Sequence, residues 1–302
     1  MPGESRGTQR VAQREQVRPS VTRAEEVVVN ATNENFPVAL RMIPSRYRQH
    51  LWALYCFARL TDDLGDQAKD PAADQKSLRL KLLDEFEADI DRIYAGDRPR
   101  TPALEPLAVT IGDKNIPDHP FRRLIEANRQ DQHVARYPTY RDLEQYCTLS
   151  ANPVGEVVLY IFGQATPERI ALSDRVCTAL QLVEHWQDVA EDLRADRIYL
   201  PQEDMARFGC TEEDLAQPAT NPVTKQLMTF ETARAKQLLD DGAPLVGTLK
   251  GAARLAVAGY VAGGRAALAA IEAEDYDVLR VTPRPRKPVM IKELAKAYLR
   301  GR

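Results

Sequence analysis

Apolar residues recur at intervals of three and four along most of the chain, and this spacing is typical of amphipathic helices. In the stretch from Asp74 to Tyr94, one apolar stripe is formed by Leu78, Leu82, Phe86, Ile90 and Ile93. We find no run of alternating β-branched residues bounded by turns, and no Asn-Gly or Asp-Gly hairpin between two such runs. The hydrophobic pattern therefore predicts an all-α fold arranged as a single helical bundle.

Proline, glycine and capping residues set the predicted boundaries of the other helices. Helices are expected over Glu25 to Ile43, Arg46 to Ala68 with Ser45 as its N-cap, Asp118 to His133, Thr139 to Phe162 with a break at 150–155, and Pro167 through the 180s. Two more are expected between Asn221 and Glu274, and the second is small and apolar enough to be a closely packed central helix. We divide the chain into a disordered leader (1–22), one helical domain (23–286) and a basic C-terminal helix (287–302).

The composition is that of an ordinary soluble protein, with 44% hydrophobic and 28% charged residues among 302. The net charge of −3, without a basic stripe interleaved with aromatic residues, argues against nucleic-acid binding. The four cysteines lie far apart and form no CxxC pair, so neither a zinc site nor a disulfide framework is indicated. No apolar run approaches the ~20 residues that span a bilayer, and no signal peptide is recognised, so we expect a cytoplasmic protein.

Acidic residues cluster at helical spacing in two places. Glu184, Asp188 and Asp192 fall on one stripe of a predicted helix, and Asp62 and Asp66 lie one turn apart on another. Stacked carboxylates repel one another, and magnesium, a hard cation that favours carboxylate oxygens, offsets that repulsion. An isolated pair of this kind is more often a solvated acidic face. Two such helices favour a different interpretation, a diphosphate clamped by magnesium ions.

Two arginines and a tyrosine near these clusters allow a structural or a functional interpretation. Arg59 either pairs with Asp62 one turn on or contacts phosphate, a task that suits a guanidinium group. Arg197 is either a surface charge or a cation that offsets the charge of a leaving group. Tyr146 is either a core residue with a satisfied hydroxyl or part of the site.

Three stretches in this order and spacing resemble one known family. They are ARLTDDLGD (58–66), YCTLSANPVGE (146–156) and QLVEHWQDVAEDLRADRIYLP (181–201). The chain is similar to the trans-isoprenoid squalene/phytoene synthase family from about Glu34 to Arg286. Within the family, ENFPVAL (34–40) and SANPVG (150–155) are most similar to the bacterial hydroxysqualene synthase branch. Relatives in other branches usually have VAGxVG in place of SANPVG.

The resemblance implies an isoprenoid-synthase helical bundle around one central cavity. It implies that magnesium and diphosphate are held by Asp62, Asp66, Asp188 and Asp192, with Glu184 in a metal position that is often Asn in the family. It implies phosphate contacts from Arg59 and Arg197 and places Tyr55, Tyr146 and Tyr199 near the reacting carbons. We expect Asn152 to hold a water near the cavity, and we expect an apolar lining that includes Phe36, Leu40, Tyr55, Val154 and Leu159.

The function implied by the resemblance is conversion of presqualene diphosphate and water to hydroxysqualene and diphosphate. One alternative is head-to-head condensation of two farnesyl diphosphates to presqualene diphosphate or squalene. Another is an inactive helical partner that binds isoprenoid, and Glu184 is the only feature that favours it. The glycines at 259, 263 and 264 lie in a helical apolar run rather than after a strand, so they do not form a dinucleotide site. That absence says little by itself, since relatives that use a nicotinamide also lack such a motif. The SANPVG break (150–155) adds the resemblance to the hydroxysqualene branch, which implies that water, not hydride, quenches the cation.

The C-terminal segment is strongly basic. From Arg280 onward it has eight lysine and arginine residues and one acidic residue, Glu293. Its apolar side includes Ile291 and Leu299. Such a segment is typical of an amphipathic helix that lies on anionic lipid, on the inner face of the membrane. The alternative is a final helix docked on the bundle with its basic residues in solvent.

Overall fold

The computed structural model describes residues 43–66 and 75–301. In chain order its first helices are α1 (Ser45–Asp66), α2 (Gln75–Tyr94), α3 (Glu105–Lys114), α4 (His119–Gln130), α5 (Tyr140–Ser150), α6 (Asn152–Ile161) and α7 (Pro167–Gln187). They are followed by α8 (Val189–Arg194), α9 (Gln202–Phe208), α10 (Glu212–Leu215), α11 (Pro222–Gly242), α12 (Leu245–Thr248), α13 (Gly251–Ala273) and α14 (Lys287–Arg300). Within the described ranges, β-structure amounts to one isolated bridge between Arg136 and Ile198, which confirms the all-α prediction.

Several predicted features lie outside the described residues. They are the leader over 1–22, most of the predicted helix from Glu25 to Ile43, and the lining residues Phe36 and Leu40. The predicted helix from Arg46 to Ala68 is described only as far as Asp66, and it begins at Ser45 itself rather than after it.

Helix α7 lies at the centre of the bundle and packs against α6, α11 and α13. Its inward residues Ala179, Leu182 and Trp186 are fully buried. Removing a side chain of the size of Leu182 from water stabilises the fold by roughly 1.5–3 kcal/mol. The acidic stripe of this helix is therefore carried by an element that the core holds firmly.

Polar caps set the N-termini that the sequence predicts. Thr166 accepts a hydrogen bond from the backbone of α7, Thr139 forms a capping box with Asp142 at α5, and Asn221 caps α11. Asp118 precedes α4 but makes no side-chain cap, because its carboxylate accepts a hydrogen bond from Arg122 instead. Helix α4 also ends at Gln130, three residues earlier than predicted.

The acidic stripe in the 180s does not lie on one continuous helix. Asp188 has φ −107° and ψ 15°, so α7 ends at Gln187 and α8 begins at Val189. A second break, between α5 and α6, is at Ala151, within the predicted range 150–155. Pro153 follows there in the first turn of α6, where its missing N–H costs no helical hydrogen bond.

The predicted apolar stripe of α2 is wrong at its N-terminal end. Leu78 is 49% exposed, whereas Leu83, outside the stripe, is fully buried. Phe86, Ile90 and Ile93 are buried as predicted, and Phe86 stacks on Phe57 of α1 with ring centroids 5.4 Å apart. Packing against α1 and α4 therefore selects a face that periodicity alone did not resolve.

Helix α13 confirms the prediction of a closely packed central helix. A Cβ atom on Gly264 would lie 2.7 Å from a methyl carbon of Leu180 and 2.9 Å from one of Leu239. By length and composition alone, α13 is apolar enough to cross a bilayer, so the expectation that no segment reaches that threshold was wrong. Half of its most apolar window is buried in the bundle, as in the core helix of a soluble protein.

The basic C-terminal helix α14 docks on the bundle against α13 and α12. Its Ala297 is fully buried, and the Arg254 side chain of α13 donates to the Tyr298 carbonyl oxygen at 2.5 Å. Its outer side is solvent-exposed, with Ile291 69% and Leu299 79% exposed. The inner side of α14 is therefore docked on the bundle, as in the second alternative. The outer side presents exposed apolar residues to solvent.

Candidate active site

The two acidic clusters face one another across the bundle. Burial, and then the charges of Asp188 and Asp62, raise the pKa of Glu184. Glu184 on α7 is therefore close enough to Asp62 on α1 for their charges to interact. From α4, the Asn128 amide donates to Asp62 Oδ1 at 3.3 Å. The side chain of Asp66 lies outside the described residues. The structure thus brings together the two helix faces that the sequence pattern paired.

Burial and mutual repulsion act on the carboxylates of α7 and α8. Burial, and then the charge of Asp188, raises the pKa of Asp192 to about 7, although Arg197 works in the opposite direction. The pKa of Asp188 is also raised, first by burial and then by Glu191. Partly enclosed carboxylates with perturbed pKa values mark this cluster as a candidate functional site.

Arg284 approaches this cluster although the sequence analysis assigned it to the C-terminal tail. Its charge lowers the pKa of Asp188 against the effects of burial and Glu191. The Gln187 side chain at the end of α7 donates to the Pro283 carbonyl oxygen and so holds this segment beside the site. The sequence pattern did not predict that Arg284 approaches Asp188, because the two residues are distant in sequence. Contact of the basic segment with a membrane stays a prediction.

The two arginines predicted to bind phosphate differ in their surroundings. Arg59 is half-exposed and its Nε lies 3.3 Å from Asp63 Oδ1, so its helical ion pair is with Asp63 and not with Asp62 as considered above. Arg197 is half-buried, and its charge opposes the rise in the pKa of Asp192 and adds to the lowering of the pKa of His185. Arg197 is therefore close to the carboxylates of α7 and α8, whereas the described ion pair of Arg59 is within α1. A phosphate contact by either arginine stays a prediction.

Four aromatic rings pack together beside the carboxylates. The rings of Tyr137, Tyr146 and Tyr199 have centroids 5.4 to 5.9 Å apart, and His185 stacks on Tyr199 at 3.6 Å. The Tyr146 hydroxyl donates to Asp131 Oδ2 at 3.0 Å. Burial, with help from the charge of Arg197, lowers the pKa of His185 to about 3, so this ring is neutral at pH 7.

The sequence identified only part of this aromatic cluster. Tyr146 and Tyr199 come together as expected, but Tyr55 stacks on its neighbour Trp52, at 5.6 Å, outside the group of rings described above. Tyr137, His185 and Asp131 were missed, because a tyrosine, a histidine or an aspartate at separate positions has no periodic signal. The capping box at Thr139 and the bridge between Arg136 and Ile198 bring the loop containing Tyr137 to Tyr199.

A cavity of about 250 Å³ opens beside the acidic cluster. Its walls are mostly apolar and come from α5, α6, α7, α12 and α13, including Val154, Val158, Leu159, Leu180, Val257 and Tyr260. Gln181 and Glu184 also line it, so the cavity has carboxylate and amide groups on one wall. Val154 and Leu159 line it as predicted, whereas Tyr55 is not among the described lining residues.

Gly155 allows α6 and α7 to come together at this wall. A Cβ atom there would lie 2.4 Å from Ser173 Oγ and 2.5 Å from Cys177 Sγ. Asn152, by contrast, is 4% exposed and its side chain accepts a hydrogen bond from Thr178 Oγ1 at 2.9 Å. Asn152 lines a neighbouring polar pocket, next in sequence to the cavity residues Ser150 and Ala151, and its expected role in holding a water near the cavity stays a prediction.

The carboxylates suit magnesium only together with the phosphate oxygens of a bound substrate. Among the residues that the structure describes, no three histidine, cysteine, aspartate or glutamate side chains converge closely enough to enclose a metal ion by themselves. Magnesium is normally held by one or two carboxylates together with substrate phosphate oxygens, and it keeps several waters. Burial and then mutual repulsion raise the pKa values of Glu184, Asp188 and Asp192, and a nearby cation would offset that repulsion. The donor set therefore fits a magnesium–diphosphate complex.

Replacing Glu184 with asparagine tests whether this side chain belongs to the metal site. We expect Glu184→Asn to retain activity but to shift the magnesium concentration that gives half-maximal rate, because an amide oxygen ligates magnesium without the negative charge. The measurement is a magnesium titration of diphosphate release, with Glu213→Gln on the exposed helix α10 as the matched control. An unchanged titration would exclude Glu184 from the metal site.

Comparison with known proteins assigns the chain to a family. A family model described as squalene/phytoene synthase matches residues 29–290. The phytoene synthase of Arthrospira platensis is 34% identical, with 68% of each chain covered. The hydroxysqualene synthase of Rhodopseudomonas palustris is 31% identical over 76% of this chain and 77% of its own.

Solved structures agree with this family assignment. The crystal structure of squalene synthase HpnC from Alicyclobacillus acidocaldarius has a TM-score of 0.76 and 38% identity, and covers 84% of this chain and 94% of its own. A dehydrosqualene synthase in complex with a ligand has the same TM-score at 23% identity, which shows the shared fold. The resemblance seen in the three sequence motifs is thereby confirmed, and the chain belongs to the squalene/phytoene synthase family.

Proposed function

We propose that this protein is a hydroxysqualene synthase that converts presqualene diphosphate and water to hydroxysqualene and diphosphate. The observation that carries the proposal is the helix break at Ser150–Gly155, whose sequence resembles the hydroxysqualene branch. In this chain Asn152 of the break is buried and accepts a hydrogen bond from Thr178. The 38% identity to squalene synthase HpnC and the 31% identity to a hydroxysqualene synthase support this branch.

The site offers groups suited to each part of this reaction. Arg197 and Arg284 lie beside the carboxylates, where they can bind and orient a diphosphate. Magnesium, when bound there, supplies positive charge that stabilises the leaving group. The apolar cavity, whose lining includes Tyr260, can hold a carbocation away from bulk water. Tyr146 and Tyr199 lie in the aromatic cluster beside the carboxylates rather than in the lining of this cavity, so their place near the reacting carbons stays a prediction.

Product analysis with and without a reductant tests the proposal. We expect purified protein given presqualene diphosphate and magnesium in oxygen-18 water to form labelled hydroxysqualene, whether or not NADPH is present. Mass spectrometry of the extracted products provides the measurement. Squalene formed only with NADPH would instead place the protein in the squalene-forming branch.

Condensation of two allylic diphosphates is the second candidate, because curated relatives of similar identity are phytoene synthases. Incubation with farnesyl or geranylgeranyl diphosphate alone tests it. Presqualene diphosphate, squalene or phytoene in those tubes, without hydroxysqualene in the first assay, would favour condensation. Absence of magnesium-dependent diphosphate release from every substrate would favour an inactive isoprenoid-binding partner.

We also propose that the outer side of α14 contacts an anionic membrane surface, which suits an enzyme with a C30 substrate. Five of the eight large apolar residues that are most exposed in the described chain lie between 281 and 299: Val281, Met290, Ile291, Tyr298 and Leu299. Exposed basic residues flank them, including Lys287, Lys292 and Arg300. Apolar side chains between lysine and arginine side chains are typical of a helix that lies on anionic lipid.

Two outer-side substitutions test the membrane contact. We expect Ile291→Glu with Leu299→Glu to lower binding to phosphatidylserine-containing vesicles about tenfold or more, because burial of one such side chain contributes about 1.5–3 kcal/mol. Vesicle sedimentation provides the measurement, and Val109→Glu at another exposed apolar position is the matched control. Equal sedimentation of all three proteins would contradict the proposal.

A further inference from the structure

Two different spaces lie on either side of the break between α5 and α6. One is the apolar cavity described above. The other is a pocket of about 500 Å³ whose lining includes Arg141, Glu144, Asp174 and Arg175, from α5 and α7. A pocket lined by charges of both signs favours water, whereas the apolar cavity does not.

The two spaces are lined by adjacent residues at this break. Ser150 and Ala151 line the cavity, and the next residue, Asn152, lines the polar pocket. Helix α7 forms the facing part of the wall, since Cys177 lines the cavity and Thr178 lines the pocket. Consecutive residues therefore contact opposite spaces, and no complete helix separates the spaces at Ala151.

Polar atoms are distributed across this wall from one space to the other. Thr178 Oγ1 donates to Asn152 Oδ1, and both residues are buried. Ser150 Oγ on the cavity side and Asp174 Oδ1 on the pocket side are buried and have no hydrogen-bond partner in the described part of the chain. Buried polar atoms in proteins are nearly always hydrogen-bonded, and ordered water is their usual partner when protein groups are not.

We propose that ordered water crosses the wall along the row Asp174, Thr178, Asn152 and Ser150, and that this route supplies the water that quenches the carbocation. The inference rests on the proposed function, because only a reaction that ends with water needs this supply. It also gives Asn152 a role in the wall rather than at the cavity surface. A narrow polar passage admits single waters and keeps the cavity otherwise dry, which protects the cation from capture at other carbons.

The chemistry of this step balances without any further reactant. The bond from carbon to the diphosphate oxygen breaks, and its electron pair leaves on the diphosphate. The cyclopropylcarbinyl cation that remains rearranges, and one carbon–carbon bond of its ring breaks as a lone pair of the incoming water oxygen forms the new carbon–oxygen bond. The proton that this water loses passes to the other waters of the proposed route and through them to solvent in the polar pocket. No oxidant or reductant is consumed.

Removal of one hydroxyl from the wall tests the route. Thr178→Val keeps the shape of the side chain, and we expect the ratio of hydroxysqualene to non-oxygenated C30 hydrocarbons to fall about fivefold, as for loss of one net hydrogen bond. Thr178→Ser restores the hydroxyl, and its ratio should stay close to that of the unchanged protein. Thr229→Val on the exposed side of α11 is the matched control. The full-length proteins are compared with presqualene diphosphate and magnesium by mass spectrometry.

A second variant keeps the test decisive if Thr178→Val fails to fold. Ser150→Ala removes a hydroxyl that has no protein partner in the described residues, so no protein hydrogen bond is broken, and we expect the same fall in ratio. Ratios equal to that of the unchanged protein in the folded variants would overturn the route while the proposed function stands. Absence of hydroxysqualene from the unchanged protein would overturn the function and the route together.

Discussion

Asp188→Ala lowers magnesium-dependent diphosphate release by about 10²–10³-fold, the size of effect expected when a main charge-stabilising group is removed. Asp188 lies between Glu184 and Asp192 at the junction of α7 and α8, and its charge raises the pKa of both neighbours. Because removal of this charge relieves repulsion, we expect no loss of helical circular dichroism and no fall in melting temperature. Steady-state kinetics and thermal melts provide the two measurements.

The matched control for this prediction is Asp241→Ala, an exposed aspartate near the end of α11 whose carboxylate accepts a hydrogen bond from Gln237. We expect nearly full activity from the control. Asp62→Ala on the facing helix should show the same loss as Asp188→Ala. If loss of activity accompanied loss of the fold in either site variant, these carboxylates would be structural rather than part of the site.

Magnesium with inorganic diphosphate should stabilise the protein much more at pH 8 than at pH 5.5. The pKa of Asp192 is raised to about 7 by burial and by Asp188, so the folded chain holds this proton more tightly than the unfolded chain does. Its contribution therefore favours folding at low pH and is lost as pH rises from about 4 through 7. A bound cation favours the ionised carboxylate and reverses that loss.

The expected shift in melting temperature at pH 8 is several degrees. A ligand at a hundred times its Kd stabilises by about 2.7 kcal/mol, and a chain of this length gains roughly 2–4 °C for each kcal/mol. Differential scanning fluorimetry at the two pH values, with and without magnesium and diphosphate, provides the measurement. Asp192→Asn should abolish most of the difference between the two pH values, and an equal shift at both would contradict this account of Asp192.

Sequence periodicity predicted the helices well where local chemistry sets their ends. Thr139, Thr166 and Asn221 each cap a helix at the expected place, because capping depends on residues only three positions apart. The face of α2 was less predictable, since Leu78 and Leu83 are both leucines and only contacts with other helices decide which is buried.

The candidate site was predictable only where its residues share one helix. The carboxylates at 184, 188 and 192 were found by spacing, but the break at Asp188 was not, because an aspartate inside a helical pattern carries no clear stop signal. Arg284 and Asp131 reach the site through tertiary packing of distant segments, whereas His185 lies on α7 itself and was missed because a single histidine has no periodic signal. No single-sequence pattern encodes such a meeting of charges.

Trp186 provides a spectroscopic probe of this site. It is one of two tryptophans in the chain, it is fully buried, and it lies next to His185 and two residues before Asp188. Trp52 is only half-buried and stacks on Tyr55. A Trp52→Phe protein would therefore emit from Trp186 alone, at a short wavelength typical of an apolar environment. Changes in that emission would report on ligand binding in real time, without a label or a coupled assay.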